Sequence, residues 1–439
     1  MVCVVLAMAL GVGVLAGCDL AVAGKRCSVE GSFARDDTYV LQCQGRRWKR
    51  GATIAATAQL LLKIIQARTP ATVSSGNGHT CAARDDRSIR GWGLNTSGQL
   101  GNGGTANSTV PVAGTLPADT SPVAQTQPPV PVALHSGAEF TCGAVNSAFH
   151  AYTYATIDCW GFNGFGQLGD GTTTNRPTPI RLYSADPNTG TIATGTVHAC
   201  VISYASGVLC WGQNSAGQLG NGTTTASSTP VGVSGIVQGS TYQVAAGGAE
   251  TCVIVVGTTA VRCWGDNSNG QLGDGTTTNR STPVTVAGLT GVSSLAVGGS
   301  HACALMSDTT VKCWGANSVG QLGDGTTTQR TAPVTVAGLS GVTSITAGFD
   351  DTCAIRADQT AVCWGGNGAG QLGDGTTTSR TSPVQVSGIT TATVVSAGNG
   401  HTCAVADKKV KCWGRNDLGQ LGIGSTVNQL TPALVNLFP

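Results

Sequence analysis

Seven copies of one short phrase organise this chain: a Trp-Gly step, a few residues, Gly-Gln-Leu-Gly, and then a run rich in glycine and threonine. One tryptophan marks each copy: Trp92, Trp160, Trp211, Trp264, Trp314, Trp364 and Trp413. The last three intervals between them are 50, 50 and 49 residues. This period is typical of a four-stranded propeller blade rather than of a helix-pair repeat. The sequence therefore predicts an all-β, seven-bladed propeller.

One unit shows how a blade would be built. Four short apolar runs, 342–347, 352–355, 361–364 and 383–386, are separated by turn residues, and glycine, threonine and valine dominate the composition. Such runs predict antiparallel strands joined by tight turns and one long loop. A single blade cannot bury both of its faces, so we expect stability to come from stacking, with one indole between neighbouring sheets.

The two ends of the repeat region suggest how the ring closes. Residues 71–75 begin the first unit with no Pro-Val strand before them, whereas residues 431–435 supply such a strand with no unit after it. We expect this last strand to complete the first blade and protect its edge.

The repeats resemble a known family. Segments such as His301-Ala-Cys-Ala-Leu and Lys312-Cys-Trp-Gly-Ala-Asn-Ser-Val-Gly-Gln-Leu-Gly-Asp-Gly-Thr resemble the regulator of chromosome condensation repeat, in the form found in exported bacterial proteins. The resemblance covers roughly residues 71–437 and implies a seven-bladed propeller. It does not imply nucleotide exchange, since fold alone does not carry function.

The N-terminus indicates export. Val2 to Gly17 are uncharged, long enough for a signal core and short for a membrane span, and Leu15-Ala16-Gly17-Cys18 resembles a bacterial lipobox. The resemblance implies a signal peptide over 1–17 and acylation of Cys18, which would hold the protein at a bacterial cell surface or in the periplasm. No Lys or Arg precedes the apolar core, so a different start remains open, as do a cleaved secretory signal and a short buried segment.

The cysteines point to an oxidising compartment. Six units hold a pair, separated by eight to sixteen residues: Cys142 with Cys159, Cys200 with Cys210, Cys252 with Cys263, Cys303 with Cys313, Cys353 with Cys363, and Cys403 with Cys412. Opposed residues of a hairpin lie about 4.5–5.5 Å apart at Cα, which a disulfide can bridge. Zinc is the alternative, but its usual spacing is absent. We therefore expect six cross-strand disulfides.

Three other cysteines follow the signal and the lipobox. Cys27 and Cys43 can pair with each other, whereas Cys81 faces Gly91 where its partner would stand. We expect Cys81 to be a small buried residue rather than a reactive thiol.

A basic segment separates the lipobox from the repeats. Residues 19–69 carry nine Lys or Arg against four acids, a net charge of +5, whereas the whole chain is only +2. We expect residues 18–69 to form a tether with a small Cys27–Cys43 module and a helix over Thr53–Arg68, preceding a propeller over 70–439. This segment could touch anionic headgroups or wall polymer, or serve only as a solvated linker. Nucleic acid is a poor partner because the basic cluster lies outside the repeats.

Catalytic and metal motifs are not evident. There is no nucleophile elbow, His-Glu-x-x-His, P-loop or EF-hand spacing, and no cofactor is expected. The acids of the Gly-Asp-Gly-Thr turns could suggest calcium, but one acid in each blade supplies too few oxygens, which favours a turn-capping role. Those acids are Asp170, Asp274, Asp324 and Asp374.

Histidine recurs before the first blade cysteine, at His79, His198, His301 and His401, and is replaced by Phe140, Glu250 and Asp351 in the other units. A ring of imidazoles could bind a metal at the axis. Hydrogen-bonded structural histidines are the preferred interpretation.

Variation between the repeats suggests where binding occurs. Insertions at Ala113–Pro131 and Gly143–Asp158 emerge on one face by strand parity, and the second is predicted to be an enlarged turn. Its aromatic residues form one predicted recognition patch, unless they pack on the Cys27 module: Phe149, His150, Tyr152 and Tyr154. The long glycine-rich loops on the opposite face supply a second: Phe162, Phe165, Gln213, Asp266, Asn269, Phe349, Asp350, Arg415 and Asp417.

These observations predict a monomeric, exported, lipid-anchored propeller that binds a protein or a surface polymer through one face, without catalysis. The alternative is a hydrolase or lyase acting on an extracellular polymer, which would need acids converging near the axis, where Glu250 and Asp351 are candidates. A surface coat without a specific ligand is a third possibility. An exchange-factor-like regulator would require an intracellular location.

Overall fold

The computed structural model describes two units, which divide between Arg68 and Thr69. It describes residues 33–35, 39–44, 47–53 and 70–437, with gaps at 85–87, 116, 118–131, 150–151, 183–188, 204–205, 238 and 257–259. The first unit contains an antiparallel sheet of three strands in the order β1 (Phe33–Arg35), β2 (Tyr39–Gln44) and β3 (Arg47–Thr53).

Several predictions for the N-terminal region fall on other residues. The signal peptide, the acylated Cys18 and Cys27 of the predicted Cys27–Cys43 bond lie outside the described residues. So does the helix predicted over Thr53–Arg68, apart from Thr53 itself, which ends β3. Within the described part of the chain, no helix is long and apolar enough to cross a membrane.

The second unit is a ring of seven four-stranded antiparallel sheets, which confirms the predicted propeller. Blade 1 comprises β4 (Pro70–Ser75), β5 (His79–Arg84), β6 (Ile89–Gly93) and β7 (Ser108–Gly114). Blade 2 comprises β8 (Val132–Ser136), β9 (Phe140–Phe149), β10 (Tyr152–Gly161) and β11 (Arg176–Leu182). Blade 3 comprises β12 (Thr189–Thr194), β13 (His198–Ser203), β14 (Gly207–Gly212) and β15 (Ser227–Gly232). Blades 4 and 5 comprise β16 (Thr241–Ala246), β17 (Glu250–Val255), β18 (Val261–Gly265), β19 (Arg280–Thr285); and β20 (Val292–Val297), β21 (His301–Met306), β22 (Val311–Gly315), β23 (Arg330–Thr335). Blades 6 and 7 comprise β24 (Val342–Ala347), β25 (Asp351–Arg356), β26 (Ala361–Gly365), β27 (Arg380–Gln385); and β28 (Ala392–Ala397), β29 (His401–Ala406), β30 (Lys409–Gly414), β31 (Gln429–Leu434).

The core lies between neighbouring blades. Leu322 and Val336 of blade 5, for example, pack in one buried cluster with Ile345 and Trp364 of blade 6. All seven repeat tryptophans are 0–1% exposed. Full burial of a large apolar side chain contributes about 1.5–3 kcal/mol, so the seams between blades are major sources of stability.

Each indole is anchored to the preceding blade. Trp314 Nε1 donates a hydrogen bond of 2.8 Å to the carbonyl of Gln271, and the other six indoles donate in the same way to the glutamine of the Gly-Gln-Leu-Gly phrase before them. The last glycine of the phrase packs on that indole. A Cβ at Gly273 would lie 2.9 Å from Trp314 Nε1, and this glycine has a φ of +65°. The repeated phrase is thus a device for joining blades.

The expectation about ring closure is wrong. Strand β31 pairs with β30 as the fourth strand of blade 7, and blade 1 takes all four of its strands from residues 70–114. The contacts between blades 7 and 1 repeat those of the other seams, including Trp92 Nε1 to Gln420 O at 2.8 Å and Gly424 N to Thr109 O at 2.9 Å. Seven equivalent seams close the ring, so no strand exchange is needed.

Six within-blade disulfides join the second and third strands, at the predicted cysteine pairs. Each pair faces directly across the ladder with its Cα atoms 4.1 Å apart, as for Cys303 and Cys313. Cys81 is free and buried opposite Gly91, as expected. Burial raises the pKa of its thiol to about 12, despite hydrogen bonds from Thr141 and Ser136, so it stays protonated.

The insertion at Gly143–Asp158 differs from its prediction. It is not an enlarged turn, because β9 and β10 continue as a paired hairpin from Phe140↔Gly161 to Phe149↔Tyr152. Ten residues in each strand keep the ladder hydrogen bonds satisfied far beyond the ordinary blade length.

Candidate binding site at the axial mouth

Strand direction places two kinds of loop on each face of the propeller. The turns from first to second strand and the long loops from third to fourth strand, such as 94–107, lie on one face, which we call the glycine-loop face. The turns from second to third strand and the connections between blades lie on the opposite face. At the centre of the glycine-loop face the seven first turns surround an opening, the axial mouth.

A closed circle of backbone hydrogen bonds lines this mouth. One residue of each first turn donates its N–H to a carbonyl of the next blade, and the last blade returns to the first through Asn399 N to Gly76 O at 3.1 Å. The other six bonds are Asn77 to Ala138, Ala138 to Thr196, Thr196 to Gly247, Gly248 to Gly298, Gly299 to Gly348, and Phe349 to Gly398. These bonds satisfy donors that would otherwise be unpaired where the strands end.

Glycine is required in this circle for a steric reason. A Cβ at Gly76 would lie 2.5 Å from His79 Cε1 and 2.6 Å from the carbonyl oxygen of Gly137. A Cβ at Gly398 would meet His401 and the Gly76 carbonyl in the same way. The recurring glycine therefore leaves room for a side chain beneath it.

The side chains beneath the circle form a buried ring, made of the first residue of each second strand. Its members are His79, Phe140, His198, Glu250, His301, Asp351 and His401, each 0% exposed. Each histidine bonds through Nε2 to a threonine of the next blade, for example His301 to Thr352 Oγ1 at 2.9 Å. Phe140 and Glu250 face the corresponding Ala199 and Ala302 instead, so histidine occurs only where the neighbour offers a hydroxyl.

The protonation of these histidines follows from their partners. Thr352 donates its one hydroxyl proton to the Gln321 carbonyl at 2.9 Å, so its oxygen accepts from His301 Nε2–H. Desolvation by burial lowers the pKa of His198, His301 and His401 to about 4 and that of His79 to about 3. The interpretation as structural histidines is confirmed. Within the described residues no group of three or more His, Cys, Asp or Glu side chains could hold a metal ion.

Blades 4 and 6 each carry a pair of acids near the axial mouth, Glu250 with Asp266 and Asp350 with Asp351. We call these four acids together with Phe349 the acidic sector. Burial raises the pKa of Glu250 and Asp351 well above the usual range, and each is raised further by a second acid of its own blade, Asp266 and Asp350 respectively. Both oxygens of Asp351 and Oε1 of Glu250 have no hydrogen-bond partner. Burial also raises the pKa of Asp350, although Gln371 donates to it.

Phe349 stands at the rim of the axial mouth. The other six blades place Asn77, Ala138, Thr196, Gly248, Gly299 and Asn399 at this position. Phe349 is 53% exposed, and its ring leans over blade 5, where a Cβ at Gly299 would lie 2.9 Å from Phe349 Cδ2. A large exposed aromatic side chain at a position otherwise held by small residues is typical of a contact surface.

The repeated aspartates of the long loops have a structural role, as predicted. Asp324 accepts from the backbone and hydroxyl of Thr326 through Oδ1, and from Arg330 through Oδ2 at 2.8 Å. Partial burial alone would raise the pKa of Asp324, but these bonds lower it overall. The same clamp joins Asp170 to Arg176, Asp274 to Arg280 and Asp374 to Arg380.

The repeats identify the family. The model for the regulator of chromosome condensation (RCC1) repeat matches residues 159–202, 206–254, 261–305, 310–355, 363–405 and 409–439, which is more than half of the chain. The chain belongs to this repeat family. A second RCC1 repeat model also matches residues 71–99 in the first blade.

Named relatives of the RCC1 repeat family share part of the chain. The ultraviolet-B receptor UVR8 of Arabidopsis thaliana is 30% identical over 53% of this chain and 50% of its own length. The E3 ubiquitin-protein ligase HERC2 of Homo sapiens is 30% identical over 56% of this chain but only 5% of its own length. The chain thus spans half or less of these relatives.

Solved RCC1 propellers share the fold. Human WBSCR16 has 23% identity and a TM-score of 0.66, covering 80% of this chain and 94% of its own. Yeast RCC1 (Prp20), solved bound to Kap60, has 19% identity and a TM-score of 0.67, covering 85% of this chain and 86% of its own. At these identities the likeness concerns the fold alone.

The residues predicted to form binding patches on this RCC1 propeller lie in different places and make different contacts. Phe162 and Phe165 form an edge-to-face pair with ring centroids 6.1 Å apart, and Phe165 is 41% exposed. Arg415 pairs with Asp417 at 2.6 Å, in blade 7 and apart from the acidic sector. Gln213 and Asn269 lie in the long loops of blades 3 and 4. Phe149, Tyr152 and Tyr154 lie in the long hairpin, but their side chains, and all of His150, lie outside the described residues, so that patch stays a prediction.

Sequence reasoning missed the backbone circle and the histidine to threonine bonds. A signal for the bonds was present, because a His-Thr or His-Ala step recurs at one position of four repeats. Wherever a repeat has this histidine, the next repeat has threonine directly after the equivalent position. The only sequence pattern that indicates the circle of backbone hydrogen bonds is a glycine that recurs at 76, 137, 195, 247, 298, 348 and 398.

Proposed function

We propose that this chain is an exported, lipid-anchored RCC1-type propeller that binds a protein or a surface polymer through its glycine-loop face, without catalysis. The observation that carries the proposal is Phe349, an aromatic side chain 53% exposed at the rim of the axial mouth, where six other blades have small residues.

Two further features support this role. The six within-blade disulfides favour a compartment outside the reducing cytosol, in keeping with the signal and Cys18 lipobox of the sequence. One protein with a similar propeller, yeast RCC1 (Prp20), has been solved bound to a protein partner, Kap60. Loops held by a rigid scaffold commonly carry binding residues, which supports the glycine-loop face as the recognition surface.

The arrangement of acids does not favour the hydrolase or lyase alternative. Glu250 and Asp351 are fully buried beneath the glycine circle, so the bulky ring of a sugar polymer at the surface would not pass the circle to reach them. Asp266 is occupied by hydrogen bonds from Ser268 and Gln271. A general acid must lie within hydrogen-bond reach of the group that it protonates.

Location and thiol state can be tested first. Intact and peptide mass spectrometry of protein purified from a bacterial host, with and without reduction, should find an acylated Cys18 terminus and six within-blade bonds. An unprocessed terminus with free thiols would overturn export and revive metal binding and an intracellular GTPase partner.

The binding face can be tested by photo-crosslinking in the intact host. A photoreactive amino acid at Gly368, an exposed position on the glycine-loop face with open space around its Cβ, should give a discrete adduct. The matched control is the same amino acid at Ala357, exposed on the opposite face. Equal adducts from both positions, or none from Gly368, would contradict binding through this face.

A further inference from the structure

The charges of the glycine-loop face are unevenly matched. Four aspartates of the long loops are clamped by arginines, and Asp417 by Arg415. Five other carboxyl groups have no Lys or Arg partner among the described residues: Glu139, Glu250, Asp266, Asp350 and Asp351. Four of these five belong to blades 4 and 6, so the unmatched acid is concentrated in the acidic sector.

We propose that the acidic sector binds a lysine- or arginine-bearing segment of a partner protein. The proposal rests on the binding role of the glycine-loop face and names the chemistry of its partner. Blade 5 contributes no charge to the face between the two acid pairs, since its first turn and the start of its long loop read Gly298-Gly299-Ser300 and Ala316-Asn317-Ser318. An extended segment crossing blade 5 would therefore have acids on either side.

Phe349 supplies the apolar part of this surface. Its ring lies over Gly299 of blade 5, between the two acid pairs in blade order, and more than half of it is exposed. Cationic groups are attracted to an aromatic face, and the aliphatic stems of Lys and Arg pack on apolar surface. An aromatic ring that lies, in blade order, between the acids of blades 4 and 6 suits this type of side chain better than an anionic or a neutral one.

The buried carboxyl of Asp351 provides a second, independent indication of a ligand. Asp351 is fully buried with both oxygens unpartnered, and its Oδ1 lies 2.6 Å from the position that a Cβ on Gly348 would take at the axial mouth. Buried polar groups in folded proteins are nearly always hydrogen-bonded, so an unpartnered carboxyl beside an opening indicates a missing partner. Asp351 thus has unused capacity for a hydrogen-bond donor.

Fluorescence anisotropy with a labelled peptide of four Gly-Lys repeats tests the proposal on the full mature protein. The peptide should bind, and the Gly-Glu peptide of equal length should not. Phe349→Ala, at an exposed position where folding is not at risk, and the double variant Asp266→Asn with Asp350→Asn should each weaken binding about tenfold. The matched control, Asp308→Asn with Asp358→Asn, removes the same charge from exposed turns on the opposite face and should change the dissociation constant less than twofold.

Equal weakening by the control pair, or equal binding of the two peptides, would overturn the proposal. Loss of affinity with Phe349→Ala alone, with no effect of the charge variants, would instead indicate a neutral ligand such as a polysaccharide and would also overturn it. Either result would leave the photo-crosslinking from Gly368 intact, so failure of the cationic partner is distinguishable from failure of the binding face.

Discussion

The imidazole of His401 in the last blade lies 2.9 Å from the hydroxyl of Thr80 in the first, although the two residues are 321 positions apart. Thr80 also donates to the Gln420 carbonyl at 2.8 Å, so its one hydroxyl satisfies two groups of blade 7. The bond matches those of His79, His198 and His301 at other seams. Ring closure is therefore chemically the same as any other junction between blades.

Thr80→Val should destabilise the ring, because it leaves His401 Nε2–H unpaired in a buried site, whereas the Gln420 carbonyl keeps its bond from Trp92 Nε1. A buried unpaired group costs about 1–3 kcal/mol. The matched control is Thr402→Val, since the ring residue of the preceding blade is Asp351 rather than a histidine and the Thr402 hydroxyl donates to the Gln371 carbonyl. Urea unfolding should show the larger loss for Thr80→Val, and equal losses would contradict the role of the histidine bond.

The four ring histidines should make stability fall as the pH drops below about 6.5, an effect that the buried acids Glu250 and Asp351 oppose. The four ring histidines have pKa values lowered to about 3 or 4 by burial, whereas in the unfolded chain they protonate near 6.5. The unfolded state then binds more protons, and each pKa unit is worth about 1.4 kcal/mol, so each histidine costs about 3 kcal/mol by pH 4. Unfolding free energies from pH 7.5 to 4.5 should be steeper for the native chain than for His301→Gln. An unchanged slope in that variant would show that His301 does not contribute.

Asp351→Asn should stabilise the protein at pH 7.5. The folded carboxyl keeps its proton at pH values where the unfolded one has lost it, so its burial opposes folding above a pH of about 4. The gain in thermal midpoint should shrink as the pH approaches 4, where the carboxyl is neutral in both states. Asp358→Asn is the exposed control and should bring no gain, because hydrogen bonds from Thr360 lower the pKa of Asp358. A gain independent of pH would contradict this explanation.

Gly91→Cys should create a seventh disulfide. Cys81 and Gly91 face each other in the ladder as the six bonded pairs do, and a Cβ at Gly91 would lie 3.0 Å from Leu100 Cα, which requires a small adjustment. A disulfide contributes about 2–4 kcal/mol. Thiol titration in denaturant should find no free cysteine among the residues of the propeller, and Gly91→Ala isolates the steric effect. Persistence of the Cys81 thiol would show that Leu100 cannot yield.

Asp324→Asn should loosen one loop without any link to calcium. The substitution removes the charge that pairs with Arg330, which is 36% exposed, so we expect a loss of about 1 kcal/mol or less. Adding calcium or EDTA should shift the thermal midpoint of neither the native chain nor the variant. A calcium-dependent midpoint that disappears in Asp324→Asn would restore the metal interpretation of these turns.

Local chemistry made much of this fold predictable. The period of the tryptophans fixed the number of blades, and Cys303 and Cys313 could be paired because both residues persist while the turn between them changes length in other units. The destination of residues 431–435 could not be predicted in the same way. A Pro-Val strand fits any blade edge, and its place depends on the pairing of β31 with β30, which the pattern does not specify.

The candidate site was only partly predictable. Phe349 and Asp350 could be identified because they depart from the repeat, but the burial of Asp351 beneath Gly348 depends on the stacking of whole blades. Arg415 was expected to contribute to a patch, yet its neighbour Asp417 neutralises it. Which charges remain unmatched is a property of packed neighbours, and a repeat pattern shows only where residues differ.

The six disulfides all join strands within one blade, as between Cys303 and Cys313, and none crosses a seam. Covalent bonds therefore fix the central hairpin in six of the seven blades, while hydrogen bonds and packed indoles hold neighbouring blades together. Tension applied along the chain would part neighbouring blades before it could draw out the second and third strands of a bonded hairpin. If the ring of an oxidised molecule is opened by force, the bonded second and third strands of each disulfide-containing blade stay paired in register. Such blades could then pack against one another again without having to re-form these strand pairs.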